Sequence, residues 1–192
     1  TAASVPADAR LLVLLSGGAS SLMAAPAEGV SLEEKKEVTA ALLRAGADIH
    51  ALNTVRKHLS AVKGGWLGVA TSALCRTFAI SDVVGDDLSV IGSGPTVADP
   101  STFADARDVL RRYSRWTAYP TAVVDHITAG VRGDRPETPK PGDPRLSHSV
   151  ASVIGGRREA KHGAVGAARS LGYPTHEVRE PPVGEAREAG PR

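Results

Sequence analysis

The sequence predicts an α/β domain, with a mostly parallel sheet between helices on both faces in three layers. Two observations carry this. Short apolar runs of strand length alternate with longer amphipathic stretches along the 192 residues, the pattern of repeated strand–helix–strand units. Aromatic residues are only 4% of a chain that is 42% hydrophobic, so the core must be built from Ala, Val, Leu and Ile. That composition suits buried parallel strands under Ala-rich helices.

The elements follow in order. Leu11 to Leu15 is a continuous apolar run, read as a buried strand, and it ends in the small-residue turn Ser16-Gly17-Gly18-Ala19-Ser20-Ser21. Ser31 with Glu34 three residues on forms a capping box that opens a helix. Val38, Leu42 and Ala45 stripe that helix, and Gly46 stops it. Asp48 caps a second helix to about Leu59, with Ile49, Leu52, Val55 and Leu59 on its buried face. A break at Lys63-Gly64-Gly65 precedes a short Ala-rich helix. Arg76 to Ile80 is a second strand, followed by the polar loop 81–87 and the turn Gly92-Ser93-Gly94-Pro95-Thr96. Helices are expected near 104–113 and 121–131. The segment 133–146, rich in proline and charge, reads as an exposed connector. Ser149 to Ile154 is a third strand, then a helix runs to about Leu171 with Gly172 as its stop, and Thr175 to Val178 is a short fourth strand.

Composition narrows the function. A net charge of +2 gives no reason to expect nucleic acid. No apolar run approaches the roughly 20 residues of a membrane-spanning helix, and no signal peptide is visible. The single cysteine, Cys75, allows no internal disulfide and fits a reducing, cytoplasmic setting.

Three segments carry chemistry. Glycines in Ser16-Gly17-Gly18-Ala19-Ser20 let the backbone approach a ligand, whose anionic oxygens the exposed N–H groups and hydroxyls can cradle. The same glycines also suit a tight strand-to-helix turn. No Gly-Lys-Ser/Thr follows, so it is not a Walker loop. Asn53, Arg56 and Lys57 lie at i, i+3 and i+4 on one helical face, with Lys63 close by, a set that can bind a carboxylate or phosphates. A solvated surface stripe is the competing reading. Asp82, Asp86 and Asp87 follow an apolar strand, at the strand end where open α/β sheets bind ligands. They suit Mg²⁺, or one of them accepts a hydroxyl proton; Asx-turns are the plainer alternative. Ser93, Gly94 and Thr96 lie in a second candidate anion-binding turn. The six histidines show no metal-ligand spacing.

Together these segments resemble the type 2 glycerate kinases, including the MOFRL group, some of which carry the older label hydroxypyruvate reductase. The resemblance rests on residues 15–23, on Leu52-Asn53-Thr54-Val55-Arg56-Lys57-His58-Leu59-Ser60 with Lys63-Gly64-Gly65, on residues 81–87 through Ser93-Gly94-Pro95-Thr96, and on residues 136–143. It covers roughly residues 10 to 190. It implies a Rossmann-like N-terminal domain, a second α/β domain outside this sequence, and ATP- and Mg²⁺-dependent phosphorylation of D-glycerate to 2-phosphoglycerate in the cleft between the domains. Within it Lys57, Asp82 and Arg56 are expected to be catalytic, Arg56 and Lys57 neutralising a carboxylate or phosphates and Asp82 or Asp86 holding Mg²⁺ or acting as base. Ser16, Gly17, Gly18, Ser20, Asn53, Lys63, Ser93, Gly94 and Thr96 would bind substrate or nucleotide phosphates, and Asp82 and Asp86 would hold the metal. A family segment with a Gly-Lys-Ala motif lies upstream of this sequence. The family's Gly-Ser-Asn-Arg turn appears as Gly155-Gly156-Arg157-Arg158, without its hydroxyl and amide. The isolated chain is therefore expected to be an incomplete kinase.

Two other readings compete. One is reduction of hydroxypyruvate with NAD(P)H, although no G-x-G-x-x-G joins a strand to a helix here. The other is an inactive anion-binding fragment. An open sheet edge would favour self-association as a homodimer.

Overall fold

A computed structural model describes residues 2–177. The chain falls into two compact units, residues 1–156 and 157–192. The first opens with a single 3-10 turn and then β1 (Arg10–Leu15), α1 (Ala19–Leu22), α2 (Leu32–Arg44), α3 (Ile49–His58), α4 (Trp66–Val69) and β2 (Leu74–Ile80). α5 (Phe103–Tyr113), α6 (Thr121–Arg132) and β3 (Ser149–Gly155) complete it.

The sheet is wholly parallel, in the order β1-β2-β3. Its register stacks Val13 beside Thr77 and Ala151, and Leu15 beside Ala79 and Val153. This row turns inward, where Leu15, Ala79 and Ile91 form a small core with Ala19 and Met23. The alternate row stays open. Leu14 is 70% exposed and Ile154 is 61% exposed, because side chains of a strand alternate between faces.

The main core lies among helices. Val38 and Leu42 of α2 meet Leu52 and Val55 of α3, Phe103 and Leu110 of α5, and Val123 and Ile127 of α6. Local signals explain the helices. The Ser31/Glu34 capping box is made in full. Asp48 Oδ1 accepts from the amides of His50 and Ala51. Thr102 and Asp105 form a second capping box. Gly130 of α6 exists for packing: a Cβ there would sit 2.2 Å from Phe103 Cγ.

Three expectations change. Ile49, the first residue after the cap, is exposed rather than on the buried face of α3 and lines an open cleft instead of the helical core. The connector is not exposed throughout: Thr138 and Pro139 are buried, held down by contacts to Asp99 and Gly65. In the second unit, α7 (Arg157–Ser170) buries no residue, and Gly172 follows with φ 83°. Residues 175–177 form no strand, and Val178 lies outside the described residues.

Candidate functional site

The glycine-rich turn leaves β1 at its C-terminal end. Gly18 has φ 84°, a left-handed conformation that glycine adopts without strain, and this starts the single turn of α1. A Cβ built on Gly17 would lie 3.4 Å from Asp82 Oδ2, so the Asp82 carboxylate stands directly against the turn.

Helix α3 and Lys63 clamp the turn from behind. The Ser20 carbonyl accepts from Arg56 Nη2 and from Lys63 Nζ, both at 2.7 Å. The Ser20 hydroxyl meets Ser93 Oγ at 2.7 Å, and Ser93 Oγ donates to Asn53 Oδ1 at 3.0 Å. A hydroxyl has one proton, so Ser20 is the donor to Ser93. Ser93 is fully buried with φ 62°. A non-glycine residue in that region stores strain, which this hydrogen-bond chain holds in place.

The result is a cleft of about 200 Å³ lined by Ser16, Gly17, Ser20, Asn53, Arg56 and Asp82, among others. Residues from three separated motifs thus converge at the C-terminal ends of β1 and β2, where open α/β sheets bind ligands. Burial draws the Arg56 guanidinium below its ordinary value, yet arginine stays charged. The cleft therefore offers one fixed cation, one carboxylate and a small-residue turn to a polar ligand.

Other candidates lie elsewhere. Lys57 turns away and pairs with Asp99 at 3.1 Å, both side chains buried. Ser101 and Thr138 also donate to Asp99. Burial opposes ionisation of Asp99, but Lys57, Ser101 and His58 hold its carboxyl below the usual range. Thr96 Oγ1 shares a 2.7 Å hydrogen bond with Thr77 inside the sheet layer. The Gly94 carbonyl accepts from the Gly65 amide at 2.7 Å. Asp86 has φ 53° and faces Gly156, where an added Cβ would be 3.0 Å from Asp86 Oδ1. A serine at 156 would therefore require Asp86 to move. Asp87 caps its own loop by accepting from the Ser89 amide. Among the described residues, no three His, Cys, Asp or Glu side chains converge to hold a metal.

Sequence reasoning missed Lys35, Asp99 and Glu137. Lys35 is buried, and its Nζ donates to the Leu59 carbonyl at 2.9 Å. Its spacing from Val38 and Leu42, three and seven residues on, is the signal that it joins their stripe. His58 is 2% exposed, its ring nitrogens facing the Thr54 carbonyl and Glu137 Oε2.

The fold and the cleft define an α/β domain with a polar cleft at the C-terminal ends of its parallel strands, and comparison with known proteins gives its family. Residues 1–128 match a family model described as a domain of unknown function (DUF4147), and the chain belongs to that family. A glycerate 2-kinase of Pyrococcus horikoshii is 42% identical over 180 residues, covering 94% of this chain and 40% of that protein. A crystal structure of a Pyrococcus horikoshii protein superposes with TM-score 0.77 at 42% identity, over 88% of this chain and 38% of that one. The glycerate kinase structure from Thermotoga maritima gives TM-score 0.72 at 40% identity, with the same coverages. The chain thus spans about 40% of the length of these relatives. The resemblance to glycerate kinases read from the motifs is the one these comparisons find.

Proposed function

We propose that the protein carrying this chain is an ATP-dependent glycerate 2-kinase, and that this chain supplies one wall of its active site. The supporting observation is the convergence of the glycine-rich turn, Arg56 and Asp82 in one cleft, in a chain whose relatives carry that name. In the reaction, the 2-hydroxyl oxygen of D-glycerate attacks the γ-phosphorus of ATP. The bond from that phosphorus to the β–γ bridging oxygen breaks, and ADP leaves with the electron pair. Phosphoryl transfer depends on positioning and charge neutralisation. Arg56 neutralises phosphate or carboxylate oxygens, and the turn at Ser16, Gly17, Gly18 and Ser20 seats them. Asp82 either accepts the hydroxyl proton or ligates Mg²⁺. One carboxylate beside a phosphate-sized cleft fits that ion, which usually takes one or two carboxylates plus substrate phosphates. When bound, Mg²⁺ neutralises charge on the transferring group.

Lys57 enters this reading as the buried counterion of Asp99. Asn53, Ser93 and Lys63 hold the turn. Thr96 and Gly94 support the sheet and the loop beneath it, and Asp86 supports residues 155–156. The nicotinamide reading gains nothing here, because the turn leads into a four-residue helix, too short to aim a helix dipole at a pyrophosphate.

Product analysis by phosphorus NMR tests the proposal. Full-length protein with ATP, Mg²⁺ and D-glycerate should give 2-phosphoglycerate and ADP. Oxidation of NADH on adding hydroxypyruvate, with no phosphoryl transfer, would overturn it.

A further inference from the structure

A second cavity, of about 340 Å³, lies on the other side of Ser20 and Ser21 from the cleft. Lys35, Arg56 and Lys63 line it, with Thr39 on one wall and Lys36 at the rim. Lys35 and Lys63 are 5% and 1% exposed. Their ammonium groups, like the Arg56 guanidinium, are satisfied by the carbonyls of Leu59 and Ser20 and the Ser20 hydroxyl. Among the described residues, none of the three makes an ion pair with a carboxylate, whereas buried Lys57 does.

Burying a cation without a counterion is unfavourable, and here two buried lysines and the half-buried Arg56 share one wall. Carbonyl dipoles offset that only in part. What the cavity lacks is negative charge, and the apolar side chains of Leu32, Ala40 and Leu43 opposite cannot supply it. Three cations suit a dianion better than a monoanion.

We propose that this cavity is a binding site for a phosphate group, with Lys35 as the residue that distinguishes it from the glycine-rich cleft. The site stands on the three cations and the cavity, so it holds whether or not the chain's protein phosphorylates glycerate. Because Arg56 and Ser20 border both cavities, a phosphate bound here would stiffen the turn from behind.

The electrostatics agree with this placement. Burial first, then repulsion from Lys63 and Arg56, lowers Lys35 to about 7. Burial, then Arg56, lowers Lys63 to about 8. Both lysines therefore gain charge when an anion arrives, and the anion binds less well once the pH exceeds their values. Lys36, at the rim, adds only a solvated charge that is already paired with Glu33.

Calorimetric titration of the full-length protein with inorganic phosphate tests the site. Lys35→Met should weaken phosphate binding at least about tenfold, equivalent to 1.4 kcal/mol, while Lys36→Gln should stay within about twofold. Titration with a small phosphomonoester separates sources: tighter binding than inorganic phosphate identifies a phosphorylated metabolite, and weaker binding identifies free phosphate. Sulfate, a dianion throughout, should bind more weakly at pH 9.5 than at pH 7. Should Lys35→Met fail to fold, NMR titration of the wild-type lysine ammonium groups decides, since phosphate must raise the Lys35 value. Phosphate binding unaffected by Lys35→Met, an unmoved Lys35 titration, or acetate binding as tightly as phosphate would overturn the proposal. Loss of this site would leave D-glycerate phosphorylation as a separate result.

Discussion

At the scale of single residues, the contrast between Arg56 and Lys57 is the most informative. They are neighbours in sequence, yet Arg56 borders the cleft while Lys57 is locked to Asp99. Removing one partner of a buried ion pair strands the other charge and costs about 3–5 kcal/mol. Lys57→Ala should therefore lower the chemical denaturation midpoint sharply. A variant as stable as the wild type with slower turnover would instead return Lys57 to the reaction. Glu137 gives a pH prediction. Burial opposes its ionisation, but hydrogen bonds from His58, the Phe103 amide and Lys140 hold it at about 2. A carboxyl lowered on folding stabilises above its ordinary value of 4.5 and loses that contribution as pH falls towards 2. Glu137→Gln should flatten the loss of stability between those pH values; an unchanged acid limb would show that Glu137 contributes nothing there.

The residue types of the cleft were legible in the sequence, because glycines, cations and carboxylates cluster in short motifs. Their directions were not. An i, i+3, i+4 pattern puts Asn53, Arg56 and Lys57 on one face of α3, but buried partners decide which way each side chain turns. Asp99 lies 42 positions from Lys57, and no local pattern announces that pairing. Lys35 escaped for a similar reason, since a lysine among charged neighbours on α2 reads as solvated until the Leu59 carbonyl is found beside it.

At the scale of elements, local rules worked where caps decide. The Ser31/Glu34 box and Asp48 place the starts of α2 and α3 correctly, because cap and amide lie within three residues of each other. The rules failed at 175–177, where Thr175, His176 and Glu177 supply no apolar face to bury and form no strand. Gly130 tests packing against propensity. Alanine in a helix interior gains about 1 kcal/mol over glycine, but here its Cβ would overlap the Phe103 ring, 2.2 Å away. Overpacking costs about 1–3 kcal/mol and sometimes more, so Gly130→Ala should lower the denaturation midpoint at constant m-value. An equal or higher midpoint would mean that Phe103 moves aside freely.

At the scale of the whole molecule, the strand–helix alternation fixed a parallel sheet but not where the core would gather. Four helices carry most of it, and the sheet buries one face while Leu14 and Ile154 stay exposed on the other. Periodicity reports which residues share a face, not whether anything covers that face. The chain also spans about 40% of its relatives, so groups from the rest of such a protein must complete any phosphoryl transfer. Groups that act as a unit fail together, and one wall of a site is expected to bind better than it turns over.

The most direct measurement is D-glycerate-dependent ADP release by the full-length protein, with and without Arg56→Ala. Turnover is expected in the wild type, with a loss of at least about tenfold in kcat/KM in the variant, a difference of 1.4 kcal/mol or more in transition-state stabilisation, and with the fold intact by circular dichroism. Unchanged turnover in a folded Arg56→Ala variant would remove the cleft from the chemistry, and no D-glycerate-dependent release in the wild type would contradict the kinase assignment itself.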